Sequence, residues 1–135
     1  RGLGELYKRQ SQCWVAGFSF GAWIGMQLLM RRPEISGFIS IAPPANMYDF
    51  SFLAPCPASG LILHGDNDEV VPPDSILEMI DKVAKQKDVV LQSQIIDGAD
   101  HFFGQELDQV EESVIEYLEK RMPEISAKLE HGESN

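Results

Sequence analysis

The sequence predicts an α/β fold, a mostly parallel β-sheet flanked by helices on both faces. Two observations carry that prediction. Short apolar runs alternate with helix-length segments in the order strand, helix, strand, loop, strand, helix, strand, helix. The first three strand runs are short and apolar, and alternation of this kind implies a parallel sheet covered by helices on both faces. No internal repeat interrupts the pattern, and 135 residues are enough for one domain with a real core.

The opening residues, 1–12, are polar, with a short helical piece expected at Glu5 to Arg9. Trp14 to Gly17 is the first strand. Phe20 to Arg31 carries Ala22, Trp23, Ile24, Met26, Leu28, Leu29 and Met30, which is apolar nearly all round and predicts a buried helix. Gly25 lowers its helix propensity and implies close packing on the sheet. Arg31 and Arg32 complement the carboxyl end of the helix, and Pro33 lies just beyond.

Gly37 to Ala42 is the second strand, ended by Pro43 and Pro44. Ala45 to Ser59 has no clean period. A loop this long either walls a substrate pocket, with Met47, Tyr48, Phe50 and Phe52 as its apolar surface, or covers the sheet edge. Gly60 to Leu63 is the third strand. Ser75 and Glu78 form a capping box after Pro72 and Pro73. The helix they open runs to about Lys85, with Ile76, Leu77, Ile80, Val83 and Ala84 on one face. Val89 to Ile96 is the fourth strand. Glu106 to Arg121 is the last helix, with Leu107, Val110, Val114, Leu118 and Met122 at steps of three and four. From Pro123 the sequence is polar and a frayed tail is expected. The chain thus divides into 1–12, a folded unit over 13–122, and 123–135.

The net charge of −10 argues against nucleic acid or an anionic membrane as partner. No run approaches the roughly 20 apolar residues of a membrane span. No secretory signal is visible. Cys13 and Cys56 have neither a metal-binding nor a disulfide-framework spacing. Both are expected to be reduced, buried thiols in a cytoplasmic protein.

The chemistry begins at Gly17-x-Ser19-x-Gly21, the nucleophile-elbow pattern, set between a strand-like and a helix-like run. A chain that turns this sharply presses its backbone together two residues either side of the apex, and glycine avoids the clash. The serine hydroxyl is then held clear of the sheet at a helix amino terminus, where developing negative charge is favoured. In a parallel sheet the functional loops lie at the carboxyl ends of the strands. Three such loops carry Ser19, Asp68 and His101. A serine hydroxyl needs a base to take its proton, and a histidine base needs a carboxylate to fix its tautomer. Asp66, two residues from Asp68, is a rival for the carboxylate and otherwise caps a turn. Asp97 and Asp100 read as loop carboxylates, His64 as a satisfied strand-end histidine, and His131 as part of the tail. His64, Asp66 and Asp68 are metal ligands by donor type, but a metal site there would leave the elbow unexplained.

The stretches Gly17 to Trp23, His64 to Pro72 and Gly98 to Phe102 resemble the C-terminal half of an α/β-hydrolase, close to bacterial dienelactone-hydrolase-like serine esterases. The resemblance covers nearly everything from Cys13 to Met122. It implies Ser19 as nucleophile, Asp68 as acid, His101 as base and the Phe20 N–H as one oxyanion donor. The implied activity is hydrolysis of an ester, thioester or similar acyl bond of a small molecule, without metal or organic cofactor. The family carries several strands before the elbow, including the loop that supplies the second oxyanion donor. Arg1 to Glu5 resembles a family segment found further upstream. A truncated or rearranged chain is therefore expected, a weaker catalyst by itself than a complete relative. As the alternative to catalysis stands a non-catalytic half-domain. In either case the elbow strand is left at an open edge, so a homodimer or pairing with the absent N-terminal half is expected.

Overall fold

In the computed structural model the described residues are 12–83 and 89–130. They form four strands, β1 (Cys13–Phe18), β2 (Ile35–Ile41), β3 (Gly60–Gly65) and β4 (Leu91–Ile96), and three α-helices, α1 (Phe20–Arg31), α2 (Pro73–Val83) and α3 (Leu107–Glu130). The sheet is parallel throughout, in the order β1-β2-β3-β4. The alternating pattern therefore yields the expected architecture. The helical piece expected at Glu5 to Arg9 lies outside the described residues.

Side chains that alternate along each strand feed two cores. Phe38 and Ile62 point to a cluster with Met26 and Leu29 of α1 and Ile76, Met79 and Val83 of α2. Ile39, Leu61 and Leu63 point the other way, to Tyr117, Val110 and Val114 of α3. Helices thus cover both faces. β2 and β3 are buried along nearly their whole length, whereas β1 and β4, at the two edges, are partly exposed.

The strands end together. Phe18 lies beside Ile41, Ile41 beside Leu63, and Gly65 beside Ile96. This register lines up the turns after β1, β3 and β4 along one rim.

Two elements depart from expectation in burial or length, and α2 departs at its start: it opens at Pro73, ahead of Ser75, whose hydroxyl donates to the Pro72 carbonyl at 2.6 Å instead of forming a capping box with Glu78. Helix α1 is not buried all round: Ala22, Gly25, Met26 and Leu29 are buried, but Phe20, Ile24, Leu28 and Met30 are exposed. No element among the described residues covers that side. The second departure is α3, which does not end near Arg121. It passes through Pro123 and continues to Glu130. A helix-interior proline costs about 3 kcal/mol. Fully burying an isoleucine returns about 1.5–3 kcal/mol, and Ile125 is fully buried. Gln12 adds polar anchors, donating to the Met122 carbonyl at 2.6 Å and to Ser126 Oγ at 2.7 Å. The Trp14 indole N–H in turn donates to Gln12 Oε1 at 3.0 Å. The boundary expected at 122/123 is therefore crossed by a continuous helix, and Gln12 belongs to the fold. Of the thiols, Cys56 is buried as expected, but Cys13 is exposed at the β1 edge; neither is in a disulfide.

Ile125→Ala is expected to lower unfolding free energy in urea by about 2–5 kcal/mol, the range for an emptied core site. A change within about 0.5 kcal/mol, typical of surface positions, would return residues 123–130 to a frayed tail.

Candidate functional site

Ser19 sits between β1 and α1 with φ 54° and ψ −119°, a conformation that costs a non-glycine residue about 1–3 kcal/mol. Its surroundings hold it there. The Ser19 N–H donates to the Ile41 carbonyl at 2.8 Å, and the Ser19 carbonyl accepts from the Ala22 N–H at 2.9 Å. The turn also requires Gly17, because a Cβ at that position would meet the Gly21 carbonyl and the Ala22 nitrogen. Gly21 differs from the sequence expectation: a Cβ there would meet open space. The close approach is one-sided, with the backbone of residue 21 pressing on residue 17. Gly25 packs as expected: a Cβ there would lie 3.3 Å from Val15 Cγ2.

Although Ser19 stands at the N-cap of α1, its hydroxyl does not cap the helix. Ser19 Oγ instead lies 2.9 Å from His101 Nε2. His101 Nδ1 lies 2.7 Å from Asp68 Oδ2. The other Asp68 oxygen, Oδ1, accepts the Val70 and Val71 N–H groups, both at 2.8 Å. Asp68 and His101 are buried. Both oxygens of the Asp68 carboxylate are thus engaged, which fixes its plane and so the imidazole it faces. Helix α1 begins at Phe20, so the Phe20 N–H belongs to the first turn, where N–H groups have no intrahelical acceptor.

Asp66 makes no hydrogen bond or ion pair with His101. Its Oδ1 accepts the Gly98 N–H at 2.6 Å, tying the turn after β3 to the turn after β4. Two further contacts lock the same pair of turns. The Asn67 N–H donates to the Ala99 carbonyl at 3.0 Å, and the position of Gly65 leaves no room for a Cβ against the backbone of Ala99. Asp100 shapes the His101 turn, its Oδ1 accepting the N–H groups of Phe102 and Gly104 at 3.2 Å. Asp97 is exposed. His131 lies outside the described residues.

His64 is fully buried, but it is not the satisfied histidine that its strand-end position suggested. Nε2 lies 3.5 Å from Ser93 Oγ, while Nδ1 has no hydrogen-bond partner among the described residues. Burial pushes its pKa down, and Asp68 and Asp66 oppose that shift. Among the described residues no group of three His, Cys, Asp or Glu side chains converges as a metal site.

The loop after β2 packs into the core and also lines a cleft that lies apart from Ser19. Phe50, Leu53, Cys56 and Ala58 enter the core and cover the sheet. Tyr48 and Phe50 also line a cleft of about 180 Å³ against Ser75, Met79 and Val83 of α2. Met47 and Phe52 do not line that cleft, and neither does Ser19. Trp23 of α1 anchors the loop, stacking on Tyr48 at 4.9 Å between ring centroids and meeting Phe50 and Phe52 edge-on at 5.3 Å. Two aromatic residues beside His101 escaped sequence reasoning. Phe18 lies 5.3 Å and Phe102 5.1 Å from the imidazole, and both are exposed. Their adjacency to Ser19 and His101 in sequence was the available signal.

The profile of the prolyl oligopeptidase family matches residues 34–122. An uncharacterised protein of Rickettsia prowazekii is 48% identical over 108 residues, which make up 77% of this chain and 45% of that protein. Among solved structures, a protein of unknown function from Agrobacterium tumefaciens is 50% identical with a TM-score of 0.82, over 90% of this chain and 56% of that one. An α/β serine hydrolase homologue from Coxiella burnetii is 30% identical with a TM-score of 0.71, over 80% of this chain and 50% of the other. The chain spans about half the length of these relatives.

The one-sided packing at the elbow has a direct consequence for the two motif glycines. Gly17→Ala is expected to destabilise the fold by about 1–3 kcal/mol, the usual cost of overpacking. Gly21→Ala should be neutral or stabilise by up to about 1 kcal/mol through helix propensity. Equal losses for the two variants in denaturant unfolding would contradict this account.

Proposed function

The chain belongs to the prolyl oligopeptidase family, with the fold of the α/β-hydrolases, and on that premise we propose that it is a serine hydrolase of acyl compounds. The substrate class is an ester, thioester or similar acyl bond of a small molecule. His101 Nε2 takes the proton of Ser19 Oγ as the oxygen attacks the carbonyl carbon. The imidazolium keeps its Nδ1–H on Asp68, whose other oxygen is held by two backbone N–H groups. The carbonyl oxygen, now an anion, faces the amino end of α1, where the Phe20 N–H is one donor. His101 then returns the proton to the departing alcohol or thiol, leaving an acyl group on Ser19. Water, deprotonated by the same histidine, releases the acid and restores Ser19. The observation that carries the reading is the unbroken series Ser19 Oγ, His101 and Asp68, at 2.9 and 2.7 Å. Exposed Phe18 and Phe102 beside the imidazole, with Met47 and Tyr48 on the neighbouring loop, support a partly apolar substrate. Two thiols outside any disulfide fit a reducing compartment, and the cytoplasm is the location this reading favours.

A fluorophosphonate probe should label Ser19 and fail on Ser19→Ala. Asp68→Asn should slow turnover of an aryl ester by about 10⁴, as when a triad loses its carboxylate. Labelling that survives Ser19→Ala would end the proposal.

One observation favours a second reading, in which the chain also acts as one part of an assembly. Among the described residues β1 pairs only with β2, and Cys13, Ala16 and Phe18 are exposed along it. On the neighbouring helix Phe20, Ile24 and Leu28 are exposed as well. An edge of this kind recruits a further strand, supplied by a second copy or by the remainder of a longer chain. The remainder of a longer chain would also bring the upstream loop that, by the family resemblance, supplies the second oxyanion donor. Light scattering should find a dimer or larger species; a stable monomer at high concentration would count against pairing between copies.

A further inference from the structure

A second cleft, of about 320 Å³, lies between α3 and the amino ends of β3 and β4. One wall is formed by Ser59 and Val90, which the Val90 N–H joins by donating to Ser59 Oγ at 2.9 Å, and by Gln92. The other wall is a single face of α3. Tyr117, Lys120, Glu124 and Lys128 follow one another at three or four residues, with Arg121 beside them, so they share one side of the helix.

The charge of this cleft runs against that of the chain. The net charge is −10. Six lysines and arginines fall among the described residues, and three of them, Lys120, Arg121 and Lys128, line this one cavity. Among the described residues Glu124 is the single carboxylate lining it. It lies 3.7 Å from Arg121, and its side chain is mostly exposed, so water weakens the pair. A local excess of positive charge remains. The floor is the ring of Tyr117, which is buried and braced edge-on by Trp14 at 6.0 Å. Burial pushes the Tyr117 hydroxyl up in pKa, and the neighbouring Arg121 guanidinium opposes that shift.

Size and charge together select the occupant. Small-molecule sites span about 300–1,000 Å³, and this cleft is at the lower end. A polyanion such as nucleic acid would be repelled by the rest of the surface. We propose that the cleft binds a small organic molecule bearing an oxyanion, its carboxylate or phosphate held by Lys120, Arg121 and Lys128 and its body resting on Tyr117 and Val90. The site is separate from Ser19. The strands are parallel, with Ser19, Asp68 and His101 beyond their carboxyl ends and the cleft at their amino ends. A six-residue strand spans about 20 Å. The cleft also adjoins β4, the sheet edge opposite β1, so a strand added to β1 would not close it.

The probes are benzoate, phenyl phosphate and, as the uncharged control, benzyl alcohol, each titrated into the ¹⁵N-labelled chain. At least one anion should give saturable shifts at the amides of Ser59, Val90, Gln92 and residues 117–128, with Ser19 and His101 unmoved. Which anion binds identifies the oxyanion. The double variant Lys120→Gln, Lys128→Gln should weaken that binding by about tenfold or more, the scale of one charge-assisted hydrogen bond. If the double variant unfolds, Lys120→Gln alone serves, since Lys120 is exposed. No saturable shift with either anion, equal shifts with the alcohol, or unchanged affinity in a folded variant would overturn the proposal.

Discussion

The backbone hydrogen bond from Ser19 to the Ile41 carbonyl is the contact on which the rest of the site depends. It joins the strained apex of the elbow to the end of the adjacent buried strand. Strain of this kind persists only where the surroundings over-determine it. Here the surroundings are the β1–β2 register, the first turn of α1 and the absence of a side chain at Gly17. The same bond aims the Ser19 hydroxyl away from the helix it precedes. A serine at this position ordinarily caps the following helix. In this elbow the hydroxyl is spent on His101 instead.

The partner groups are placed by a second, separate device. The turns after β3 and β4 are interlocked through Asp66 and Gly98, Asn67 and Ala99, and the tight contact at Gly65. Asp66 therefore serves the site without a hydrogen bond or ion pair to His101. It fixes the distance between two turns, one carrying Asp68 and the other His101. The Val70 and Val71 N–H groups then orient Asp68, and Asp68 orients the imidazole. Each link is short and mostly shielded from water, where hydrogen bonds to a charged group are strongest.

The two edges of the sheet are unlike. On the β1 side, apolar residues of the strand and of α1 stand exposed, as suits a surface that takes another element. On the β4 side, α3 spreads past the strand starts and presents charged residues. The length of α3 matters here. Had the helix stopped near Arg121, both Glu124 and Lys128 would be missing from that face. The burial of Ile125 and the anchoring by Gln12 thus shape a surface far from Ser19.

Several features were legible in the sequence because short-range chemistry determines them. Apolar runs and their alternation specified the parallel sheet and its helices, since a strand buried on both faces is apolar at most of its positions. The spacing of Gly17, Ser19 and Gly21 specified the elbow. What local pattern could not decide was which distant groups meet. Asp66 and Asp68 are equivalent by residue type and nearly so by position. Only the fold, by tying Asp66 to Gly98, sets Asp68 against His101. The course of α3 beyond Pro123 was hidden for a similar reason. Proline and polar composition predict an end to the helix, and the residues that outweigh them, buried Ile125 and Gln12 from the start of the chain, act across more than a hundred positions. Burial of His64 with one nitrogen lacking a hydrogen-bond partner among the described residues, and the gathering of three cations on a strongly acidic chain, were likewise decided by tertiary packing, because each depends on what neighbouring elements bring alongside.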